Sequence, residues 1–245
     1  MAAIHDSAAR GFERGVADYE RGRPGYPPEA VDLLARELEI GPGTTVLDLA
    51  AGSGKFTRAL VRCGAHTIAV EPVNGMRAAL ARSLPQVEAL EGTAESIPLA
   101  DGSVDAVTVA QAFHWFDGGR ALPEIHRVLR PSGRLGLIWN RRDARSERQR
   151  RLSAIVDPYR GDVPAYATSA WRRAFEESAL FSPLEERRFQ HVVEADVEGL
   201  VARVASISFI SVLPDDERER VLERVRELGP GPLEHVTDVY WCSRV

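Results

Sequence analysis

The 245-residue sequence predicts an α/β protein, a seven-stranded and mostly parallel sheet with helices on both faces. Three observations carry this. Short apolar runs alternate with helix-period segments through residues 27–140, the βαβα pattern of a covered parallel sheet. The first of these runs ends in a glycine turn that opens a helix. Two later strand-like runs, near 184–193 and 235–244, complete the sheet.

A helix is expected from Pro27-Pro28, because proline suits a first helical turn. Val31, Leu34 and Leu38 give its apolar stripe, and Gly41-Pro42-Gly43 ends it. Thr45–Leu49 reads as a buried strand, and Phe56, Ala59, Leu60 and Cys63 as the face of the next helix. Strands follow at 67–70 and 87–90, with a short helix from Met76 to Arg82 between them. Asp105–Ala110 is the fourth strand, 121–129 a helix, Pro131-Ser-Gly133 a turn, and Arg134–Trp139 the fifth strand. Beyond residue 140 the pattern loosens: 141–166 is charged and broken by prolines, and helices are expected near 168–179, 196–206 and 214–228.

Composition narrows the function. The chain is 44% hydrophobic and 27% charged, which excludes collagenous, disulfide-scaffold and wholly disordered classes. Its net charge of -5 gives no basic field to collect nucleic acid or an acidic membrane. No apolar run approaches a membrane span, and the first residues show no secretory pattern. Cys63 and Cys242 read as buried thiols of a reducing cytosol, and no His/Cys/Asp cluster has metal-ligand spacing. Lys55 is the sole lysine among 31 basic residues, so arginine clusters carry less functional weight here than usual.

The chemistry centres on Ala51-Gly-Ser-Gly54, where strand gives way to helix at the carboxyl edge of the sheet. Its glycines let a ligand approach the backbone closely. Asp48 precedes the turn, and Glu71 closes the next strand, where a carboxylate can accept both hydroxyls of a ribose. Thr93-Ala-Glu95 follows the third strand, where an adenine would lie. A dinucleotide fingerprint is broken by Thr57, and a phosphate-binding loop by Leu49 and Phe56. Asp48 would repel a pyrophosphate but suits a ligand with an ammonium group, which favours S-adenosylmethionine.

The run Val46–Thr57 resembles the first motif of class I S-adenosylmethionine-dependent methyltransferases. Glu71-Pro72, Gly92–Leu99, Asp105–Phe116 and His126–Leu135 are similar to that family's later motifs, in the family's order. Arg23-Pro-Gly-Tyr-Pro27 and His114-Trp-Phe116 are similar to a subgroup related to trans-aconitate methyltransferases. One departure is Ala50, where many members have a glycine; alanine is expected to keep φ negative there. The resemblance implies a Rossmann-like sheet with its last strand antiparallel and a helical insertion after strand five. It implies that Asp48, Ala50, Gly52 and Gly54 line the methionine part of the cofactor, and that Glu71, with Pro72 beside it, holds the ribose. Thr93, Ala94, Glu95 and Met76 would surround the adenine, and Gln111 would face the methionyl end. Tyr19 and Arg23 would close over it, Arg23 pairing with the carboxylate.

His114 stands at the pocket mouth, either as a general base or as a packed ring beside Trp115 and Phe116. Trp115, Trp139 and Tyr166 are expected around the substrate, with Tyr159 and Trp171 as either lid or core. Arg141, Arg142, Arg145, Arg148, Arg150 and Arg151 could meet an acidic substrate, although a solvated helix face is the stronger expectation. The resulting expectation is one domain, 1–245. It divides into a cofactor-covering segment (1–26), a cofactor-binding core (27–140), a helical insertion (141–183) and C-terminal strands and helices (184–245). The expected reaction is in-line transfer of a methyl group from S-adenosylmethionine to a small molecule, with S-adenosylhomocysteine as product. The acceptor is O-, N- or C-centred, carboxylate or hydroxyl favoured, and neither nucleic acid nor membrane is expected as a partner. The alternatives are a nicotinamide oxidoreductase, a non-catalytic binding protein and a fold reused for another pocket chemistry such as cyclisation.

Overall fold

The computed structural model describes residues 16–164 and 166–245. Most of the segment expected to cover the cofactor, residues 1–15, lies outside the described residues. Five parallel strands form the body of the sheet: β1 (Thr45–Leu49), β2 (His66–Val70), β3 (Glu88–Leu90), β4 (Val104–Ala110) and β5 (Leu129–Arg142). With β6 (Glu185–Ala195) and β7 (Gly231–Ser243) the order is β3-β2-β1-β4-β5-β7-β6. The last strand of the chain, β7, runs antiparallel to both neighbours.

Strand alternation sorts the core. Leu47 and Leu49 join Val107, Val109, Leu135 and Leu137 on one face, under Leu122 and Ile125 of α5 (Gly118–Val128). Val46, Ala106 and Ile138 point the other way, onto α2 (Pro28–Glu37) and α3 (Thr57–Arg62). On α2 the buried positions are Ala30, Leu33 and Leu34, while Val31 is half-buried at the margin of the stripe. The helix α4 (Asn74–Ser83) covers β2 through Leu80. A separate apolar cluster joins α6 (Glu147–Val156) of the insertion to α8 (Val197–Ala205), α9 (Ser208–Ser211) and α10 (Asp215–Arg226). The amino-terminal α1 (Val16–Gly22) packs on α8. Gly22 is needed there, since a Cβ would lie 2.0 Å from the backbone nitrogen of Arg203.

Three expectations are corrected. The turn at Pro131-Ser-Gly133 is a bulge within β5, whose ladder steps from Val104↔Leu129 to Ala106↔Arg134. The helix expected near 168–179 is broken into turns at Tyr166–Thr168 and Ala170–Arg172 and the four-residue α7 (Arg173–Glu176). Tertiary packing overrides helix propensity here. Ser169 adopts φ 55°, and Trp171 turns inward to lie 4.8 Å from Trp139 and 5.2 Å from Tyr240. Ala50 adopts φ 57° rather than a negative value, so the turn keeps its shape at the cost of left-handed strain. No helix among the described residues is long and apolar enough to cross a membrane.

Candidate active site

A cavity of about 550 Å³ opens at the carboxyl ends of the parallel strands, between the sheet and the helical cluster. Every residue expected to hold the cofactor lines it except Asp48 and Gly54. Strand parity explains Asp48. It shares a face with Val46, so its carboxylate points toward α3 and is fully buried there. It accepts hydrogen bonds from the Thr57 hydroxyl at 2.6 Å and the Thr108 hydroxyl at 3.3 Å. Burial raises its pKa to about 7 against those bonds. Gly54, at φ 88°, packs toward Leu80 and Leu84, so it shapes the turn from behind.

At the cavity edge Glu71 is 5% exposed. One of its oxygens accepts from the Gly52 amide and the other from the Val73 amide, each at 2.8 Å. Burial raises its pKa to about 7, opposed by those two bonds and by Arg77. Gly52 has φ 58°, and the nearest atom to a Cβ built there is the Tyr19 hydroxyl oxygen at 4.0 Å, so the backbone faces open space. Beyond Glu71 the walls are Pro72, Val73, buried Met76 and the turn at Thr93–Ser96, with buried Ala94 at its tip. The Glu95 carboxylate accepts from the Asp117 amide at 3.0 Å, tying this turn to the start of α5. Gln111 has φ 63°, and its side chain donates to the Asn140 carbonyl at 3.2 Å. Two non-glycine residues in left-handed conformation, Ala50 and Gln111, thus end adjacent strands at the cavity wall.

The cover is clamped on by residues that the motif did not single out. Lys55 donates to the carbonyls of Glu20 and Arg23, both at 2.7 Å, and Arg58 pairs with Glu20 at 3.2 Å. Ser53 also bonds Glu20. These contacts hold Tyr19 and Arg23 over the glycine turn. Arg23 donates to the Ser206 hydroxyl at 3.1 Å and carbonyl at 3.3 Å and lies 5.4 Å from the centre of the Tyr19 ring.

The substrate side gathers His114, Trp115, Trp139 and Tyr166 on the same cavity. Trp139 packs 4.8 Å from Tyr166 with the rings tilted by 33°, and the Tyr166 hydroxyl bonds Asp238 at 2.8 Å and Tyr240 at 2.7 Å. Burial and those partners push the Tyr166 phenol well above its usual range, so it stays protonated. The indole N–H of Trp139 donates to His114 Nδ1 at 3.2 Å. Burial, then the charges of Arg160 and Arg23, lower the His114 pKa to about 4. A neutral ring accepting at Nδ1 carries its proton on Nε2. Of the two readings left open by the sequence, general base or packed ring, this arrangement favours a ring packed against Trp139 with its Nε2–H available as a donor.

Of the arginine run, Arg141 and Arg142 line the cavity. Arg148 instead bonds the carbonyls of Leu228 and Gly229, and Arg145 pairs with Asp143 at 2.6 Å. Two cavity arginines, Arg160 and Arg203, were not anticipated. For Arg203 a signal existed: the one basic residue in a largely apolar helix, Val-Glu-Gly-Leu-Val-Ala-Arg-Val-Ala, whose other charge, Glu198, sits in the first turn. Arg160 follows no periodic pattern.

Residues 47–137 match a family model described as a methyltransferase domain. An uncharacterized methyltransferase of Mycobacterium tuberculosis is 45% identical over 223 residues, covering 89% of this chain and 84% of that protein. This chain belongs to the methyltransferase family. A second methyltransferase relative, uncharacterized and from Schizosaccharomyces pombe, is 35% identical over 226 residues, covering 89% of this chain and 87% of its own. Among solved structures, the geranyl diphosphate C-methyltransferase of Streptomyces coelicolor A3(2) shares the fold with a TM-score of 0.55 at 15% identity, with 100% of each chain covered. The YcgJ protein of Bacillus subtilis does so with 0.59 at 20%, covering 88% of this methyltransferase and 98% of its own chain. The class I likeness read from the motifs therefore stands, and S-adenosylmethionine is the cofactor of that class. The narrower trans-aconitate likeness stays an expectation of the sequence.

Proposed function

We propose that this methyltransferase transfers a methyl group from S-adenosylmethionine to a small-molecule acceptor held between the aromatic wall and the helical cluster. The observation that carries the reading is Glu71: a buried carboxylate at the end of β2, already oriented by two backbone amides and facing the cavity beside the glycine turn. Its remaining lone pairs take the ribose hydroxyls. Met76, Ala94 and Thr93 flank the adenine, with Glu95 holding their turn in place. Arg23 takes the cofactor carboxylate, and Gly52 and Ala50 let the chain approach the methionyl part. The bound cofactor supplies an electrophilic methyl group on a positively charged sulfur.

The protein's contribution is alignment and exclusion of water. Trp139 and Tyr166 give a dry, rigid wall, fixed from behind by Asp238 and Tyr240. His114, neutral and accepting from Trp139 at Nδ1, presents its Nε2–H to the cavity rather than a proton-accepting nitrogen, and Tyr166 is held protonated. An acceptor already ionised at neutral pH, a carboxylate, needs neither of them as a base and fits this wall best. We place the enzyme in the cytoplasm, where its two free thiols would stay reduced.

Thermal unfolding with S-adenosylmethionine, S-adenosylhomocysteine and NAD in turn tests the reading. The first two raise the midpoint and NAD does not. A rise with NAD alone would overturn it.

A further inference from the structure

The cavity also holds charges that the cofactor end does not use. Arg142 at the end of β5, Arg160 after α6 and Arg203 on α8 line it together with Arg23. Arg203 is half-buried, and its guanidinium makes no hydrogen bond or ion pair to another described residue. Burial, then the charges of Arg23 and Arg142, press its pKa down to about 9, still protonated at neutral pH. Arg142 is half satisfied: Nη2 donates to Asp157 at 2.7 Å, while Nη1 is buried without a partner among the described residues. Arg160 donates to the same Asp157 oxygen at 3.1 Å and lies over the Phe209 ring at 5.1 Å. Asp157 thus serves two arginines while its own side chain is 44% exposed. The neighbouring acid, Asp238, is already engaged by Arg141 and Arg188, each at 2.6 Å.

Guanidinium groups held out of water without matching anions are costly. Such an arrangement makes physical sense where a ligand brings the missing negative charge, and a guanidinium fork binds carboxylate or phosphate oxygens with two parallel hydrogen bonds. We infer that Arg142, Arg160 and Arg203 form an anion-binding subsite that selects acceptors bearing a carboxylate or phosphate away from the atom that is methylated. The inference rests on the methyl-transfer reading and extends it to the substrate class. Anchoring the far end of the acceptor fixes its reacting end against Trp139 and His114.

The test uses the full-length protein saturated with S-adenosylhomocysteine, titrated calorimetrically with inorganic phosphate, with glutarate and with uncharged glutaramide. At least one anion binds, glutaramide does not, and the affinity falls as salt is raised. Binding of phosphate alone or glutarate alone identifies which oxyanion the subsite takes. Arg203→Gln weakens the anion at least tenfold and leaves S-adenosylhomocysteine affinity within twofold. Asp157→Asn tightens the anion severalfold, an opposite change that a misfolded variant cannot mimic. The proposal is overturned if neither anion binds better than glutaramide to the loaded protein. It is equally overturned if Arg203→Gln weakens S-adenosylhomocysteine as much as the anion, because the arginines would then serve the cofactor. Failure of the wild-type protein to bind S-adenosylhomocysteine at all would instead remove the methyl-transfer reading, and this proposal with it.

Discussion

Glu71 gives the cofactor affinity a specific pH dependence. Its carboxyl titrates near pH 7 in the free protein because burial outweighs the two amide bonds it accepts. Ribose hydroxyls donate to the ionised form, so the binding-competent fraction is the ionised fraction. That fraction is about one-eleventh at pH 6 and about ten-elevenths at pH 8, which predicts roughly a tenfold gain in affinity between them. Binding at pH 6 should also expel close to one proton. Calorimetric titration with S-adenosylhomocysteine, in two buffers of different ionisation enthalpy, reads both quantities. Glu71→Gln removes the titrating group: its affinity is flat with pH and, at pH 8, lower by about 1.5–3 kcal/mol for the lost charged hydrogen bonding. A wild-type profile that is flat from pH 6 to 8, or an equally steep profile in the variant, would refute the assignment.

Three further outcomes follow from the same geometry. Asp48 has a folded-state pKa of about 7, above its unfolded value, so its stabilising contribution is complete below pH 4 and lost as pH rises through 7. The stability of Asp48→Asn relative to wild type, measured by urea unfolding, should therefore improve by about 2–3 kcal/mol between pH 5 and 8; an unchanged difference would mean that Asp48 does not titrate there. Ala50→Gly should raise stability by about 1 kcal/mol by relieving left-handed strain, with any loss of stability counting against the turn as described. Lys55→Met frees the carboxyl end of α1 and should weaken S-adenosylhomocysteine roughly tenfold, the loss of a charged hydrogen bond; unaltered affinity would mean that α1 does not cover the cofactor.

The core strands were legible because both faces of each are buried, leaving uninterrupted apolar runs such as Thr45–Leu49. The glycine turn and Glu71 were legible through spacing along the chain. Closeness to the glycine turn along the chain suggests Asp48 for the ligand, whereas the alternation Val46, Asp48 against Leu47, Leu49 sends its side chain to the helix side. The tautomer of His114 is set by Trp139, 25 residues away on the neighbouring strand, and no local pattern encodes that contact. The region near 168–179 has helix-forming composition, but Trp171 is drawn into the aromatic core between Trp139 and Tyr240, and the chain breaks to allow it. The arginine subsite joins residues from β5, the insertion and α8, which meet only when the helical cluster closes on the sheet.

The most direct test of the account is an experimental structure of the protein with S-adenosylhomocysteine bound. The account predicts both ribose hydroxyls within hydrogen-bonding distance of the Glu71 carboxylate, the adenine between Met76 and Ala94, and Arg203 free of the cofactor. A ligand seated elsewhere, or a ribose that leaves Glu71 untouched, would contradict it.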